Sequence, residues 1–258
     1  MQQSIEAIWR RLSEEAAALA GREPALASAL AEIPQGPASG LAALLARLLR
    51  PAWLAPGALR PLAEAQFAAN PDDIAAALAD LDAITTRNFE PGGLLGSWIG
   101  GRGFHMLLAH RAAHRLWRQG RTELAMALKT EAASSLGADI HPAARLGRRL
   151  FLDHGIGLVV GETAVIEDDV SLWHGVTLGS TLTQGGEDRH PKVRRGAVLG
   201  AGATLLGPVE IGAYAVVAAG SVVLADVAPR STVAGNPATA RRSHRHPYFP
   251  ADLPESAA

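Results

Sequence analysis

Aliphatic residues recur at every sixth position over the second half of the chain, from Asp139 to about Val227. A period of six fits neither an α-helix nor an ordinary alternating strand. It is typical of a parallel β-helix built from hexapeptides, each a short strand followed by a corner. The pattern therefore predicts a β-helix whose interior is filled by Ile140, Leu146, Leu152, Val160, Ile166, Leu172, Leu178, Val193, Leu199, Leu205, Ile211, Val217 and Val223.

The first half of the chain, up to about residue 136, is rich in Ala and Leu and has a helical pattern instead. Helices are predicted over 4–20, 24–32, 38–50, 57–68, 71–86 and 103–135. Asn70 before Pro71 and two acids predicts a capped helix start, and the glycine-rich stretch 89–103 predicts a break between helices. The sequence thus divides into a helical domain (1–136), a β-helix domain (137–240) and a C-terminal tail (241–258) that has lost the period.

Two interruptions break the hexapeptide period and indicate where the chemistry lies. The step from Leu152 to Val160 is eight residues, and the step from Leu178 to Val193 is fifteen. Repeat proteins tolerate insertions where a loop can leave the coil, and such loops often form the binding face. Both interruptions here contain histidine and charged residues.

Composition narrows the possible functions. The 24 basic and 25 acidic residues nearly cancel, so nothing points to nucleic acid or to an anionic membrane surface. No apolar run is long enough to cross a membrane, and the N-terminus lacks a signal-peptide core, so we expect a cytoplasmic protein. The chain has no cysteine, which excludes disulfides, a thiolate metal ligand and a thiol nucleophile.

Candidate chemistry is concentrated in the two interruptions. His154 beside Asp153 is a candidate general base, because imidazole titrates near neutral pH. Neighbours on a strand point apart, so Asp139, one coil earlier, is an alternative partner for the ring. Arg189 offers a planar fork for a carboxylate, and His190 offers a hydrogen bond or a second acid–base group. Solvated polar loops are the alternative interpretation of both segments.

Other histidines carry weaker signals. His174 lies within the hexapeptides, where histidines at a seam between subunits can bind a metal, but no diagnostic ligand spacing surrounds it. His105, His110 and His114 lie on or near one helical face. Polar or interface roles fit these three better than a metal site, so no metal is predicted.

Three segments taken together resemble the serine O-acetyltransferase family. They are the LDH stretch at 152–154, the GGEDRHPK stretch at 185–192 and the AGNPA stretch at 234–238. The similarity is strong over about 139–240 and weaker through GFHMLLAHRAAHRLWRQGR in the helical half. It implies a helical domain followed by a left-handed parallel β-helix, in a homotrimer or a dimer of trimers. The implied reaction is acetyl transfer from acetyl-CoA to the hydroxyl of L-serine, the first step toward cysteine.

The resemblance also implies residue roles. His154 matches the catalytic base of the family, and Asp139 matches the carboxylate that orients it. Asp153 matches a residue that contacts the substrate amine. Arg189 and His190 match the substrate-binding pair, with Arg189 on the carboxylate. Direct transfer without an acyl-enzyme agrees with the absence of cysteine.

The resemblance places acetyl-CoA in a groove between neighbouring β-helices. The matching positions here are Gly179, Ala201 and Ala219. The helical domain is expected to serve assembly and to contribute part of the substrate site.

Three departures from the family pattern change the expectations. Asn88 stands where the family has an aspartate that helps hold the substrate ammonium. The second interruption is one residue longer than usual. The chain ends Glu255-Ser256-Ala257-Ala258 rather than in the isoleucine that inserts into the next enzyme, which argues against a complex with O-acetylserine sulfhydrylase.

Competing hypotheses remain open at this point. Within the same reaction class, Asn88 allows a related hydroxy-amino acid such as homoserine as the acceptor. A metal-dependent hydratase would need His154, His174 and His190 to converge. A non-catalytic scaffold would use the helical half for assembly alone.

Overall fold

The structure, a computed structural model, describes residues 4–88, 92–181 and 188–241. The chain divides into two compact units, and the boundary falls between Leu136 and Gly137. The predicted tail beyond Arg241 and the centre of the second interruption, 182–187, lie outside the described residues. None of the helices in the described ranges is long and apolar enough to cross a lipid bilayer.

The first unit is helical, as predicted. Two short 3₁₀ turns, Pro24–Leu26 and Ile33–Gln35, accompany its α-helices. The α-helices are α1 (Ile5–Arg22), α2 (Ala27–Leu30), α3 (Pro37–Leu48), α4 (Leu59–Ala69), α5 (Pro71–Arg87), α6 (Gly93–Gly100), α7 (Arg102–Arg118) and α8 (Thr122–Leu136).

The glycine-rich stretch was predicted to be a break, and that prediction is wrong for 93–100, which form α6. Its apolar residues Leu94, Leu95 and Trp98 are buried, so packing outweighs the low helix propensity of glycine. The carboxylate of Glu15 supplies a cap from α1, because its Oε2 accepts the Leu95 N–H at 2.9 Å.

The single helix predicted over 103–135 is also wrong, since the structure divides it into α7 and α8. Gly120 adopts a left-handed φ of 74°, and the Arg121 N–H donates to the Leu116 carbonyl at 3.0 Å. This is the usual way in which a glycine ends a helix. At the start of α5, Pro71 occupies the first turn as predicted, but the Asn70 side chain donates back to the Gln66 carbonyl instead of capping the helix.

A buried ion pair joins α5 to α7. The Asp80 side chain is fully buried and accepts two hydrogen bonds from Arg111, at 2.8 and 2.5 Å. Removing one partner of a buried pair leaves an uncompensated charge in the core.

We therefore expect Asp80→Ala to lower the free energy of unfolding of the helical unit by about 3–5 kcal/mol. Asp73→Ala is the matched control, because Asp73 pairs with Arg115 between the same helices but is partly exposed. Its loss should cost about 1 kcal/mol or less. Urea unfolding followed by circular dichroism measures both variants, and equal losses would contradict a special role for the buried pair.

The second unit is a parallel β-solenoid of hexapeptides, which confirms the predicted architecture. Its strands are β1 (Asp139–Ile140), β2 (Arg145–Leu146), β3 (Phe151–Asp153), β4 (Val159–Val160), β5 (Val165–Ile166), β6 (Ser171–Trp173), β7 (Thr177–Gly179), β8 (Lys192–Val193), β9 (Val198–Leu199), β10 (Thr204–Leu206), β11 (Glu210–Ile211), β12 (Val216–Val217), β13 (Val222–Val223), β14 (Thr232–Gly235) and β15 (Ala238–Arg241). All ladders are parallel except that of β14 with β15.

Three sheets form the sides of the coil. Sheet A has the order β1-β4-β7-β10-β13, sheet B has β2-β5-β8-β11, and sheet C has β3-β6-β9-β12-β14-β15. The residues predicted to fill the interior are buried, except that Leu146 in the first coil is half-buried.

Both interruptions leave this register intact. Along sheet A, Asp139 pairs with Val159, Val159 with Thr177, Thr177 with Thr204, and Thr204 with Val222. The steps are 20, 18, 27 and 18 residues, so the coil has a period of 18 with two additional residues in one turn and nine in another. Each insertion therefore leaves the coil at a corner without moving the next strand.

Three columns of turns form the corners of the coil, and they differ in composition and length. The glycine corner joins sheet C to sheet A (154–158, 174–176, 200–203 and 218–221). The insertion corner joins sheet A to sheet B (141–144, 161–164, 180–191 and 207–209). The charged corner joins sheet B to sheet C (147–150, 167–170, 194–197 and 212–215).

Candidate active site

His154 lies at the glycine corner, directly after β3. Left-handed glycines recur at this corner, at Gly155 and Gly157 in the same turn as His154 and at Gly175, Gly202 and Gly220 in the later coils. His154 also has a left-handed φ, 57°, and is the sole non-glycine residue with such a φ at this corner within the described ranges. A β-carbon in this region costs about 1–2 kcal/mol, so the corner retains a side chain where glycine would be easier.

The left-handed turn brings neighbouring side chains together. The Asp153 carboxylate Oδ2 lies 3.5 Å from Nε2 of His154, and the imidazole is 58% exposed. Neighbours on a regular strand would point apart, so the sequence did not predict this contact. The separation exceeds a hydrogen bond, so Asp153 contributes charge near the ring without fixing its tautomer.

Other predicted residues lie near this corner. The His174 ring lies 5.8 Å from the His154 ring, one coil further along. Asp139 begins the sheet A strand of the preceding coil, and its N–H donates to the Leu158 carbonyl at 2.8 Å. The role of Asp139 in orienting His154 stays a prediction.

His190 lies at the insertion corner and is almost fully buried. Its ring packs against Gly161, where a β-carbon would come within 2.0 Å of the imidazole. The absence of a side chain at Gly161 therefore makes room for the ring.

Thr163 determines the tautomer of His190. The Thr163 hydroxyl accepts the N–H groups of Arg189 and His190, both at 3.1 Å. Its own proton then points to Nδ1 of His190, at 2.9 Å, and the Thr163 N–H also donates to Nδ1, at 3.2 Å. Nδ1 is thus an acceptor, and the ring carries its proton on Nε2.

Burial also keeps this ring neutral. It lowers the pKa of His190 below its ordinary value, and the positive charges of Arg189 and Lys192 lower it further. A neutral imidazole with Nδ1 occupied presents Nε2–H as a hydrogen-bond donor. His190 is therefore suited to donating to a ligand.

Arg189 is held beside the same turn. Its Nη2 donates to Glu162 Oε2 at 2.5 Å, and each of the two side chains is somewhat more than one-third exposed. Lys192 contacts Asp188 and donates to the carbonyls of Thr163 and His190, at 2.9 and 2.8 Å. This network fixes the end of the insertion against the coil.

A single chain does not bring all predicted site residues together. His154 and Asp153 occupy the glycine corner, whereas Arg189 and His190 occupy the insertion corner. Sheet A, about one hexapeptide wide, separates the two groups; at 3.3 Å per residue this is roughly 15–20 Å.

The positions expected to contact acetyl-CoA are likewise divided. Ala201 and Ala219 continue the glycine corner beyond His174, since Gly202 donates to the His174 carbonyl and Gly220 donates to the Ala201 carbonyl. Gly179 ends β7, beside the insertion corner. Asn88 follows α5 in the helical unit, where its N–H donates to the Ile84 carbonyl.

Two family models match the chain. The model described as serine acetyltransferase, N-terminal, matches residues 8–115, and the bacterial transferase hexapeptide model matches residues 190–225. The serine acetyltransferase of Salmonella typhimurium is 44% identical over 239 residues, which cover 92% of this chain and 87% of that protein. The chain belongs to the serine acetyltransferase family.

Solved serine acetyltransferase structures have the same fold. The soybean enzyme complexed with serine has a TM-score of 0.86 and 44% identity, over 91% of this chain and 97% of that one. The enzyme from Brucella abortus in complex with coenzyme A has a TM-score of 0.86 and 41% identity, over 92% and 96%. The resemblance identified from sequence is thereby confirmed.

Membership in the serine acetyltransferase family removes the scaffold and hydratase hypotheses. Of the three imidazoles in the hydratase hypothesis, His154 and His174 lie 5.8 Å apart at the glycine corner, whereas His190 lies at the insertion corner. Within the described ranges, no group of three or more histidine, aspartate or glutamate side chains is placed to hold a metal ion.

Sequence reasoning missed Gly161, Glu162 and Thr163. A signal for them was nevertheless available in the register. Val165 pairs with Lys192 across a 27-residue step, and the same step places Glu162 under Arg189 and Thr163 under His190. Recognising this stacking from the sequence requires knowing which sheet the chain rejoins after the insertion. The fifteen-residue step alone does not determine that.

Proposed function

We propose that this protein transfers the acetyl group of acetyl-CoA to the hydroxyl of L-serine, giving O-acetylserine and CoA. The observation that carries the proposal is the exposed imidazole of His154, held on a left-handed turn beside the Asp153 carboxylate, in a chain whose relatives are serine acetyltransferases over nearly their whole length.

His154 acts as the general base. Its imidazole takes the proton from the serine hydroxyl as the oxygen attacks the thioester carbonyl carbon. The new C–O bond forms, the C–S bond breaks, and the imidazolium returns the proton to the departing CoA sulfur. Asp139 orients the ring and stabilises its charged form. General-base catalysis of this kind contributes about 10²–10⁴-fold in rate.

The acceptor amino acid is held by groups from both corners. The Arg189 guanidinium binds the substrate carboxylate, and the Nε2–H of His190 donates a hydrogen bond to it. Asp153 contacts the ammonium. The small residues Ala201 and Ala219, together with Gly179, leave room for acetyl-CoA.

The proposed site needs two copies of the chain. His154 and Arg189 lie at different corners, so one copy supplies the base and a neighbouring copy supplies the carboxylate-binding pair. A closed ring of identical subunits provides such contacts at every interface, and three copies match the three-sided coil. We therefore propose a homotrimer, or a dimer of trimers, with the sites at its seams.

An acceptor screen tests the substrate assignment. With acetyl-CoA and L-serine the protein should release CoA thiol, and a thiol reagent will report CoA alone because the chain has no cysteine. The same assay with L-homoserine, on the wild type and on Asn88→Asp, compares the acceptors. Serine-dependent release of CoA supports the proposal. Release with homoserine alone would make homoserine the acceptor instead of serine.

A further inference from the structure

Directly beneath Arg189 and His190, the turn 161–164 of the preceding coil meets the returning insertion. The Val165 N–H donates to the Pro191 carbonyl at 3.1 Å, so the insertion rejoins the coil against this turn. The 27-residue register places each of Glu162 and Thr163 under one member of the proposed carboxylate-binding pair.

Thr163 directs its hydroxyl, its N–H and its carbonyl to this segment. Its hydroxyl accepts both backbone N–H groups of Arg189 and His190 and donates to the His190 ring. Its N–H donates to the same ring nitrogen, and its carbonyl accepts from Lys192. One side chain therefore fixes the backbone of two residues and the tautomer of one.

Glu162 holds the other functional group. It contacts a single nitrogen, Nη2, of the Arg189 guanidinium. A guanidinium has five N–H donors in a planar fork, so one bidentate face stays available for a ligand carboxylate. The contact therefore limits the rotation of Arg189 without using up its binding capacity.

We propose that Glu162 and Thr163 are positioning residues that preorganise Arg189 and His190 for the carboxylate of the acceptor amino acid. The inference rests on the proposed function, because it assigns Arg189 and His190 to that carboxylate. Neither Glu162 nor Thr163 touches the reacting atoms. Their loss should weaken acceptor binding and leave the transfer step unchanged.

The test is a comparison of kcat and KM. Thr163→Val, which removes the hydroxyl at nearly constant shape, should raise KM for L-serine about tenfold. Glu162→Gln should raise it severalfold. In both variants kcat should change by less than about twofold, and KM for acetyl-CoA should stay at the wild-type value. Thr163→Ser keeps the hydroxyl and should restore KM.

Glu167→Gln is the matched control. Glu167 lies in the same coil at the charged corner, 27 residues before Arg194, and its carboxylate accepts from the Arg194 side chain and the Arg195 N–H, both at 2.9 Å. It repeats the architecture of the Glu162–Arg189 pair away from the proposed site. The KM of this variant for L-serine should equal that of the wild type.

Arg189→Lys, measured in parallel, tests the carboxylate-binding role of Arg189 separately from the positioning role of Glu162 and Thr163. If it raises KM for serine while Thr163→Val and Glu162→Gln do not, the positioning role is overturned and the binding role of Arg189 stands. If Arg189→Lys leaves KM unchanged, both are overturned. A fall in kcat without a change in KM, or an equal rise in KM for Glu167→Gln, would also overturn the positioning role.

Discussion

Replacing His154 with alanine should lower kcat for serine acetylation by about 10²–10⁴-fold. The variant loses the group that takes the hydroxyl proton, whereas the groups proposed to hold the acceptor stay in place. KM for serine should therefore change little. Steady-state release of CoA thiol measures both constants.

Two variants sharpen this experiment. His154→Asn tests the backbone, because asparagine tolerates a left-handed φ but supplies no base, and it should be as inactive as the alanine variant. His174→Gln tests the neighbouring imidazole, 5.8 Å away, and should keep kcat within a fewfold. If the His174 variant instead lost activity and the His154 variants kept it, the base would be the wrong histidine.

Mixed oligomers of two inactive variants should recover activity. In a trimer whose sites take His154 from one copy and Arg189 from the next, assayed at serine near the wild-type KM, His154→Ala removes the base and Arg189→Ala removes the carboxylate-binding group from every site of a uniform ring. Any ring that contains both variants has one intact seam out of three. Random mixing at equal amounts makes about three-quarters of the rings mixed, so about a quarter of the wild-type activity should return.

A second mixture provides the control. Asp153 and His154 belong to the same corner of the same copy, so combining Asp153→Ala with His154→Ala cannot assemble an intact site. Coexpression with two affinity tags, followed by isolation of doubly tagged oligomers, allows both mixtures to be assayed. Because this step removes the uniform rings, the recovery expected for the purified first mixture rises to about one-third of the wild-type activity. If neither mixture recovers activity, the proposed seam does not form the site. If both recover, the assignment of Asp153 and His154 to one copy and Arg189 to its neighbour is wrong.

The fold was predictable because the hexapeptide period reports side-chain burial directly. Val193 through Val223 point inward at every sixth position, as the pattern indicated, and no tertiary context competes with that rule. Helix ends were less predictable. Gly120 ends a helix although the apolar pattern continues through it, and α6 forms because Trp98 and its neighbours are buried and Glu15 caps the helix from a distant segment.

The candidate site was predictable in its residue types and not in its contacts. His154, Arg189 and His190 stood out because they interrupt the period and match a known family. The Asp153–His154 contact depends on one left-handed φ, which the alternation of a strand does not predict. Thr163 and Glu162 form an ordinary-looking turn in the sequence, and their role depends on which residues the coil stacks above them.

The way in which the two insertions leave the coil has a consequence for protein engineering. Because the strand after each insertion resumes its place in the sheet, the packing of the interior layers does not depend on the length of the insertion. The part of the insertion that precedes Asp188 can therefore be exchanged as a cassette, with the acceptor altered by a new loop while the contacts of His190 and the apolar stack remain untouched. A fold of this kind separates the evolution of substrate choice from the evolution of stability.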